Sequence, residues 1–286
     1  TSGRFAVSLS GHAKLAGVMG WPISHSLSPR LHGYWLREHE IDGAYVPLPV
    51  APNNLEHALR ALPSLGFSGV NLTVPHKESA LPIMDTVTDI ARRIGAVNTV
   101  FVTDDGKLTG TNTDASGFME NLRLNALAWL PTDGAAVVLG AGGAARAVVA
   151  ALIDANVPEI RLLNRTFEKA VSLAESLEGP TKVIDWADRD EALSDAVLLV
   201  NTTILGMVNQ PPLEISLKLL SKTAIVNDLV YAPLETELLF EARRLGRQTV
   251  DGLGMLLHQA VPGFEGWFGV RPDVSAELRQ SVLTSA

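Results

Sequence analysis

Residues 137–147 read Val137-Val138-Leu139-Gly140-Ala141-Gly142-Gly143-Ala144-Ala145-Arg146-Ala147. An apolar, β-branched run enters a glycine cluster and leaves it as an alanine-rich helical pattern. Gly140, Gly142 and Ala145 fit the G-x-G-x-x-G/A spacing. The glycines permit a tight turn and a close backbone approach, and the first N–H groups of the helix can face a pyrophosphate. The spacing alone is a weak signal, since a βα turn that binds nothing would share it. The strand–turn–helix setting is what points to a dinucleotide, with Gly140, Ala141, Gly142, Gly143 and Ala144 as its contacts.

Outward from this loop the rhythm is regular strand–helix alternation. Strands are expected at 135–139, 160–163, 182–184, 197–200, 224–226 and 248–250, with helices at 144–155, 167–177 and 234–245. That order predicts an open parallel sheet covered on both faces. At or just past five strand ends stand Gly140, Asn164, Asn201, Asp228 and Asp251. Ligands of such sheets bind outside the carboxyl ends of the strands, so these positions are site candidates. The second strand ends in Asn164-Arg165-Thr166. An NAD site usually carries an acid there, about 20 residues beyond the glycines, for the ribose 2′-hydroxyl. Arg165 would instead clamp a 2′-phosphate with a forked, charge-assisted contact, and Lys169 would add charge one turn into the helix. The expected cofactor is therefore NADP(H). The bland alternative makes Arg165 a solvated cation and Thr166 a helix cap.

The first part of the chain is a different α/β arrangement. Strands are expected at 15–19, 45–48 and 70–74, and helices at 30–38, 54–62 and, mostly, 78–94. Ser28-Pro29 reads as a cap and first-turn proline. A hairpin pairs 96–102 with 107–110 across Asp104-Asp105-Gly106, and a helix begins near Asp114. The breaker-rich residues 129–134 read as a linker near the boundary, where the rhythm changes. The domains are set at 1–113, completed by C-terminal helices within 253–286, and at 114–252. Of the strand Val70-Asn71-Leu72-Thr73-Val74, alternation turns Val70, Leu72 and Val74 to the core and Asn71 and Thr73 away, with Lys77 just past the end.

Composition narrows the chemistry. The chain has 286 residues, 47% of them hydrophobic, enough for roughly two packed domains. The formal charge of −8 argues against nonspecific binding to nucleic acid or an anionic membrane. With no cysteine, disulfides, thiolate catalysis and cysteine-held metals are excluded, and a reducing cytoplasm is permitted. The seven histidines show no metal spacing, and no metal site is expected. No stretch reads as a signal peptide or a membrane span, and Thr1-Ser2-Gly3 reads as an added remnant.

Four polar groups of the first domain remain. They are Ser24-His25-Ser26-Leu27-Ser28; Asn71, Thr73 and Lys77; Asn98; and Asp114. Each has a plain reading: Ser28 and Asp114 as helix caps, Asn71 and Thr73 as a wet strand face, Asn98 in a local backbone bond, Lys77 as a surface cation. Together they supply hydroxyls, amides, one cation and one carboxylate, an inventory suited to a small polyhydroxylated anion.

With these segments in place the chain resembles the shikimate dehydrogenase family from about residue 15 to about residue 259. The matching segments are GWPISHSLSPRLH (20–32), GVNLTVPHK (69–77), GAVNT (95–99), TNTD (111–114), VVLGAGGAARA (137–147), NRTFEKA (164–170), NTTILGM (201–207), DLVYAP (228–233) and DGLGMLLHQA (251–260). Each is unspecific alone; their order and spacing as a set are specific. Gly33, where the family often has asparagine, and Leu72, for a frequent valine, depart from the common form.

The resemblance implies a substrate domain and a Rossmann-type NADP domain with a cleft between them. It implies NADPH-linked, reversible reduction of 3-dehydroshikimate to shikimate in aromatic amino-acid biosynthesis, in the cytoplasm, by a monomer or homodimer. It implies Lys77 and Asp114 as the catalytic pair. Ser26, Ser28, Thr73, Asn98, Tyr231 and Gln259 would be substrate ligands, with Asn71 a support. Asn164, Arg165, Thr166 and Lys169 would hold the 2′-phosphate, Met207, Leu229, Gly252 and Met255 would line the nicotinamide pocket, and Thr202 would be a further cofactor contact. Two rivals are a quinate/shikimate dehydrogenase of broader cofactor use and a silent NADP(H)-binding sensor.

Overall fold

The computed structural model describes residues 9–284, so Thr1-Ser2-Gly3 lies outside the described residues. The described chain falls into two compact units. One runs to Thr113 and resumes at Gln259; the other is 114–258.

The first unit is built on β1 (Lys14–Gly20), α1 (Ser28–Glu38), β2 (Gly43–Pro49), α2 (Leu55–Ala61), β3 (Phe67–Leu72), α3 (His76–Ser79), β4 (Thr86–Val87), α4 (Asp89–Ile94), β5 (Thr99–Val102) and β6 (Leu108–Thr111). Its sheet has the order β2-β1-β3-β5-β6-β4. β1 lies parallel to β2 and β3, while β5 runs antiparallel to β3 and β6. Residues 16–20 of β1 are all buried, as a central strand covered on both faces requires. Met19, Leu55, Leu59, Val70, Leu72 and Val100 share one core cluster.

Three expectations change here. β3 stops at Leu72, so Val74 leaves the sheet and is 66% exposed instead of joining the core. Residues 78–94 are not one helix. α3 ends at Ser79, a 3₁₀ turn with Pro82 at its centre follows at Leu81–Ile83, and β4 intervenes before α4. Thr88 starts α4 as its side-chain cap, accepting from Ala91 N at 3.4 Å. Ser28 lies inside the first turn of α1, and Leu27 holds the cap position with no side-chain bond.

The second unit contains α5 (Asp114–Asn125), β7 (Ala136–Leu139), α6 (Gly143–Asp154), β8 (Ile160–Leu163), α7 (Phe167–Ser176), β9 (Thr181–Ile184), β10 (Leu198–Asn201), β11 (Ile225–Asp228), α8 (Glu237–Arg244) and β12 (Gln248–Val250). α9 (Gly252–Phe268) begins in this unit, and α10 (Ala276–Thr284) ends the described chain in the first. The six strands are all parallel, in the order β12-β11-β10-β7-β8-β9. The order reverses between β7 and β10, the crevice position at which doubly wound sheets take ligands. Residues 129–134 lie inside this unit, because α5 already belongs to it. Asn121 on α5 donates from Nδ2 to Asp251 O at 2.9 Å, and Gln248 Nε2 donates to Asn125 O at 2.6 Å.

From Gln259 onward the tail joins the first unit through indoles. Trp267 Nε1 donates to Val100 O at 3.1 Å, and Trp35 Nε1 donates to Asp273 O at 3.0 Å. Aromatic side chains that bury large areas while satisfying a polar tip make effective anchors.

Candidate active site

In the first unit the polar residues converge on Asn98, which follows directly on the buried Ala96 and Val97 and is itself 1% exposed. Asn98 Nδ2 donates to Thr113 Oγ1 at 2.9 Å and to Gln259 Oε1 at 3.2 Å. Its Oδ1 accepts from Thr113 N at 2.8 Å and from Thr99 Oγ1 at 3.0 Å. Thr113 Oγ1 donates in turn to Gln259 O at 2.7 Å. Asn98 thus makes long-range bonds where a local one was the plain expectation. Asn71 continues the network, its Nδ2 donating to Asn98 O at 3.2 Å and to Thr99 Oγ1 at 3.1 Å. Asn71 is buried, so its side of β3 is not wet.

Tyr45, Thr99 and Thr113 belong to this network and were not assigned a role from sequence. Tyr45 Oη donates to Asn71 Oδ1 at 2.6 Å. Burial raises the Tyr45 phenol well above its ordinary value, offset in part by a hydrogen bond with Ser28. A chain of contacts therefore links Ser28 to Gln259 through Tyr45, Asn71, Thr99 and Asn98. His32 stacks on Tyr45 at 3.9 Å between ring centroids and 7° between planes. Burial pushes His32 down to about 3, and the nearby Asn71 amide offsets only part of that. Neither ring nitrogen has a partner in hydrogen-bonding geometry, so the neutral imidazole acts as an aromatic wall. Tyr45→Phe keeps that stack and removes one donor, leaving Asn71 Oδ1 buried without it. The expected loss is about 1–3 kcal/mol, read as a lower urea midpoint at unchanged slope.

The remaining first-unit candidates lie around this network. Ser26 Oγ accepts from Ser28 N at 3.3 Å. Thr73 sits one residue past β3, its backbone fixed by a bond from its N to Met19 O at 3.0 Å and another from His76 N to its O at 2.9 Å. No protein group among the described residues bonds its hydroxyl. Lys77 stands half-buried on α3, and its carbonyl accepts from Val97 N at 2.8 Å. That bond ties α3 to the segment that carries Asn98.

In the second unit Asp114 is the first residue of α5 and 3% exposed. The glycine loop is shaped for close approach. Gly140 has φ +112°, and a Cβ there would lie 2.5 Å from Thr202 Oγ1, so only glycine fits between β7 and β10. Around Gly142 nothing stands within 4 Å of a Cβ position, which leaves the backbone open to a ligand. α6 starts at Gly143 with no side-chain cap, so its leading N–H groups are not spent on one. Ala141 and Ala144 are half-buried beside them.

At the end of β8, Asn164 Nδ2 donates to Thr166 O at 2.8 Å and closes the turn. Thr166 holds the cap position of α7, as the plain reading has it, but makes no side-chain cap bond, so its hydroxyl is not spent on the helix. Arg165, Thr166 and Lys169 are exposed, and neither cation has an ion-pair partner among the described residues. Two unspent cations and a hydroxyl within five residues, with Asn164 in place of an acid, fit a phosphate monoester.

The other second-unit candidates sit on two loops and on α9. Thr202 Oγ1 donates to Leu139 O at 2.6 Å, and Met207 lies half-buried beyond it. Leu229 and Gly252 are in close contact, a Cβ on Gly252 falling 2.2 Å from Leu229 O. Met255 follows one helical turn on. Burial raises the Tyr231 phenol. Asp228 is fully buried, and burial pushes its pKa up to about 6 from an ordinary 3.8. That elevation is worth about 3 kcal/mol. The folded state binds the proton more tightly, so this stability is complete below about pH 4 and is lost as pH rises through about 6.

Among the described residues no group of three or more His, Asp or Glu is placed to hold a metal, and no helix is long and apolar enough to cross a membrane.

Residues 18–100 match the shikimate dehydrogenase substrate binding domain, 130–207 the shikimate / quinate 5-dehydrogenase family, and 252–276 the shikimate 5′-dehydrogenase C-terminal domain. A shikimate dehydrogenase (NADP(+)) of Paramagnetospirillum magneticum is 61% identical over 276 residues, covering 96% of this chain and all of that protein. The Thermus thermophilus shikimate 5-dehydrogenase, solved with NADP(H) and shikimate, superposes with a TM-score of 0.84 at 37% identity, over 96% of this chain and 100% of that one. The Corynebacterium glutamicum quinate dehydrogenase, solved with NAD, superposes at 0.87 and 32% identity, over 95% and 99%.

Proposed function

The chain belongs to the shikimate dehydrogenase family, and from that premise we propose that it reduces 3-dehydroshikimate to shikimate reversibly with NADPH, in aromatic amino-acid biosynthesis. The observation that carries the cofactor choice is the end of β8, where Arg165, Thr166 and Lys169 stand exposed and unspent and no acid ends the strand. The glycine loop and the uncapped start of α6 fit the pyrophosphate.

When bound, NADPH supplies the hydride that C3 of the substrate receives. The chain's own task is to hold the ring and to manage the proton at the C3 oxygen. We assign that proton to Lys77 with Asp114. The ammonium donates a hydrogen bond to the C3 oxygen and stabilises its negative charge as it develops, and the carboxylate orients the ammonium. Ser26 and Ser28 bind the substrate carboxylate. Thr73, Asn98, Gln259 and Tyr231 bind its hydroxyls, with the orientation of Asn98 set by Thr113 and Thr99. Asn164, Arg165, Thr166 and Lys169 hold the 2′-phosphate, Met207, Leu229, Gly252 and Met255 the nicotinamide half, and Thr202 is a further cofactor contact. The domains follow as a substrate domain, 1–113 with the tail helices, and an NADP domain, 114–252. The enzyme works in the cytoplasm as a monomer or homodimer.

The likeness to a quinate dehydrogenase supports a second reading of broader substrate and cofactor use. Both are tested by following the NADPH absorbance band with shikimate or quinate and NADP or NAD. The expected result is the highest kcat/KM for shikimate with NADP. Preference for quinate with NAD would establish the second reading, and no turnover with any pair would sink both.

A further inference from the structure

Asn201 and Asp228 are strand-end polar residues that the proposed chemistry leaves without a task. They end β10 and β11 and stand opposite each other in that parallel pair. Both are 0% exposed, so neither reaches a bound molecule. Their hydrogen-bonding capacity is spent on two loops. Asn201 Nδ2 donates to Asp228 Oδ1 at 2.9 Å and to Leu205 O at 3.2 Å. Its Oδ1 accepts from Thr203 N at 3.0 Å and Thr203 Oγ1 at 2.7 Å. Asp228 Oδ1 also accepts from Val230 N at 3.0 Å, and Oδ2 accepts from Thr236 Oγ1 at 2.6 Å. Leu229 N donates to Asn201 O, and Val208 N to Ala232 O, both at 2.9 Å. The loop after β10 carries Thr202 and Met207; the loop after β11 carries Leu229 and Tyr231.

We propose that Asp228, paired with Asn201, is a positioning residue for NADP(H), locking the two loops in the conformation that receives the nicotinamide half without itself touching it. This rests on the reading of Thr202, Met207 and Leu229 as cofactor contacts. A carboxylate suits the task because both of its oxygens accept, one from Asn201 and Val230, the other from Thr236. An amide at this position has one accepting oxygen: its NH₂ faces either the Asn201 and Val230 donors, or Thr236, whose hydroxyl would then have to accept and would lose the acceptor for its own proton. Stability alone does not call for the charge, since burial makes ionised Asp228 a cost to the fold near neutrality. Fold stability and cofactor affinity should therefore move separately when the charge is removed.

The test is Asp228→Asn in the full chain. NADPH affinity is read from the cofactor's own fluorescence with no substrate present, alongside steady-state kinetics and the thermal midpoint at neutral pH. The variant is expected to raise the Kd and KM for NADPH by about tenfold, the equivalent of one well-made hydrogen bond to a charged group. The KM for shikimate should stay near wild type, and the midpoint should not fall. An unchanged NADPH Kd, with or without a lowered midpoint, overturns the proposal. Should Asp228→Asn fail to fold, Thr236→Val, read below its own unfolding range, is expected to weaken NADPH binding. Thr236→Ser, which keeps the hydroxyl, is expected to restore it, and equal Kd values for the two overturn the proposal. A wild-type chain that binds NADPH but turns over no substrate would remove the activity proposed above and leave this test intact. One that binds no NADPH would remove both.

Discussion

Lys77→Ala is expected to lower kcat by ~100-fold or more, with a much smaller change in the KM for shikimate, as follows the loss of an acid/base group. The substrate would still be held by Ser26, Ser28, Thr73 and the Asn98–Gln259 network. Lys77 contributes most when charge develops on the C3 oxygen, which is a transition-state interaction. Steady-state kinetics with shikimate and NADP reads the split directly. Near-normal turnover by the variant would end the assignment. An increase confined to KM would move Lys77 from catalysis to binding. Asp114→Asn, measured beside it, separates orientation of the ammonium from proton transfer. If the carboxylate only orients, the pH dependence of kcat should keep its shape at a lower level.

The second large effect is expected from Arg165→Ala combined with Lys169→Ala. Each charge-assisted contact to a phosphate is worth about 1.5 kcal/mol or more, so the pair should raise the KM for NADPH by about 100-fold. The KM for NADH should hardly move, because it carries no 2′-phosphate. Both cations are exposed, so the effect should shrink as ionic strength rises. The measurement is kcat/KM for each cofactor in wild type and variant across a salt series. A variant that keeps its preference for NADPH would show that the 2′-phosphate is held elsewhere.

These predictions differ in how far their residues were legible before folding. The second unit is legible in the sequence almost strand for strand. The alternation around 135–139, 160–163 and 248–250 is carried by neighbours in the chain, and so is the glycine spacing that opens α6. The first unit is less legible. Val74 fits the strand pattern, but the chain leaves the sheet at Leu72. Residues 78–94 hold enough apolar residues for one helix, but Pro82 and the Thr88 cap divide them. The change of rhythm at 129–134 is real, yet α5 packs with the unit that follows it, through Asn121 and Asn125.

By itself the sequence determined the Rossmann half, the glycine loop, the exposed Arg165-Thr166 turn and the family resemblance. Each is a signal written in residues close together along the chain. The partners of the buried polar groups were decided only by tertiary structure. Asn98 meets Gln259 across 161 positions, and Tyr45 meets Asn71 across 26. Asn201 and Asp228 were legible as polar strand ends, equal candidates to face a ligand. Strand order sets β10 beside β11 in a register that turns the two side chains on each other. A hydrogen bond depends on distances of about 3 Å, and periodicity along the chain carries no information about which distant residues packing will bring that close.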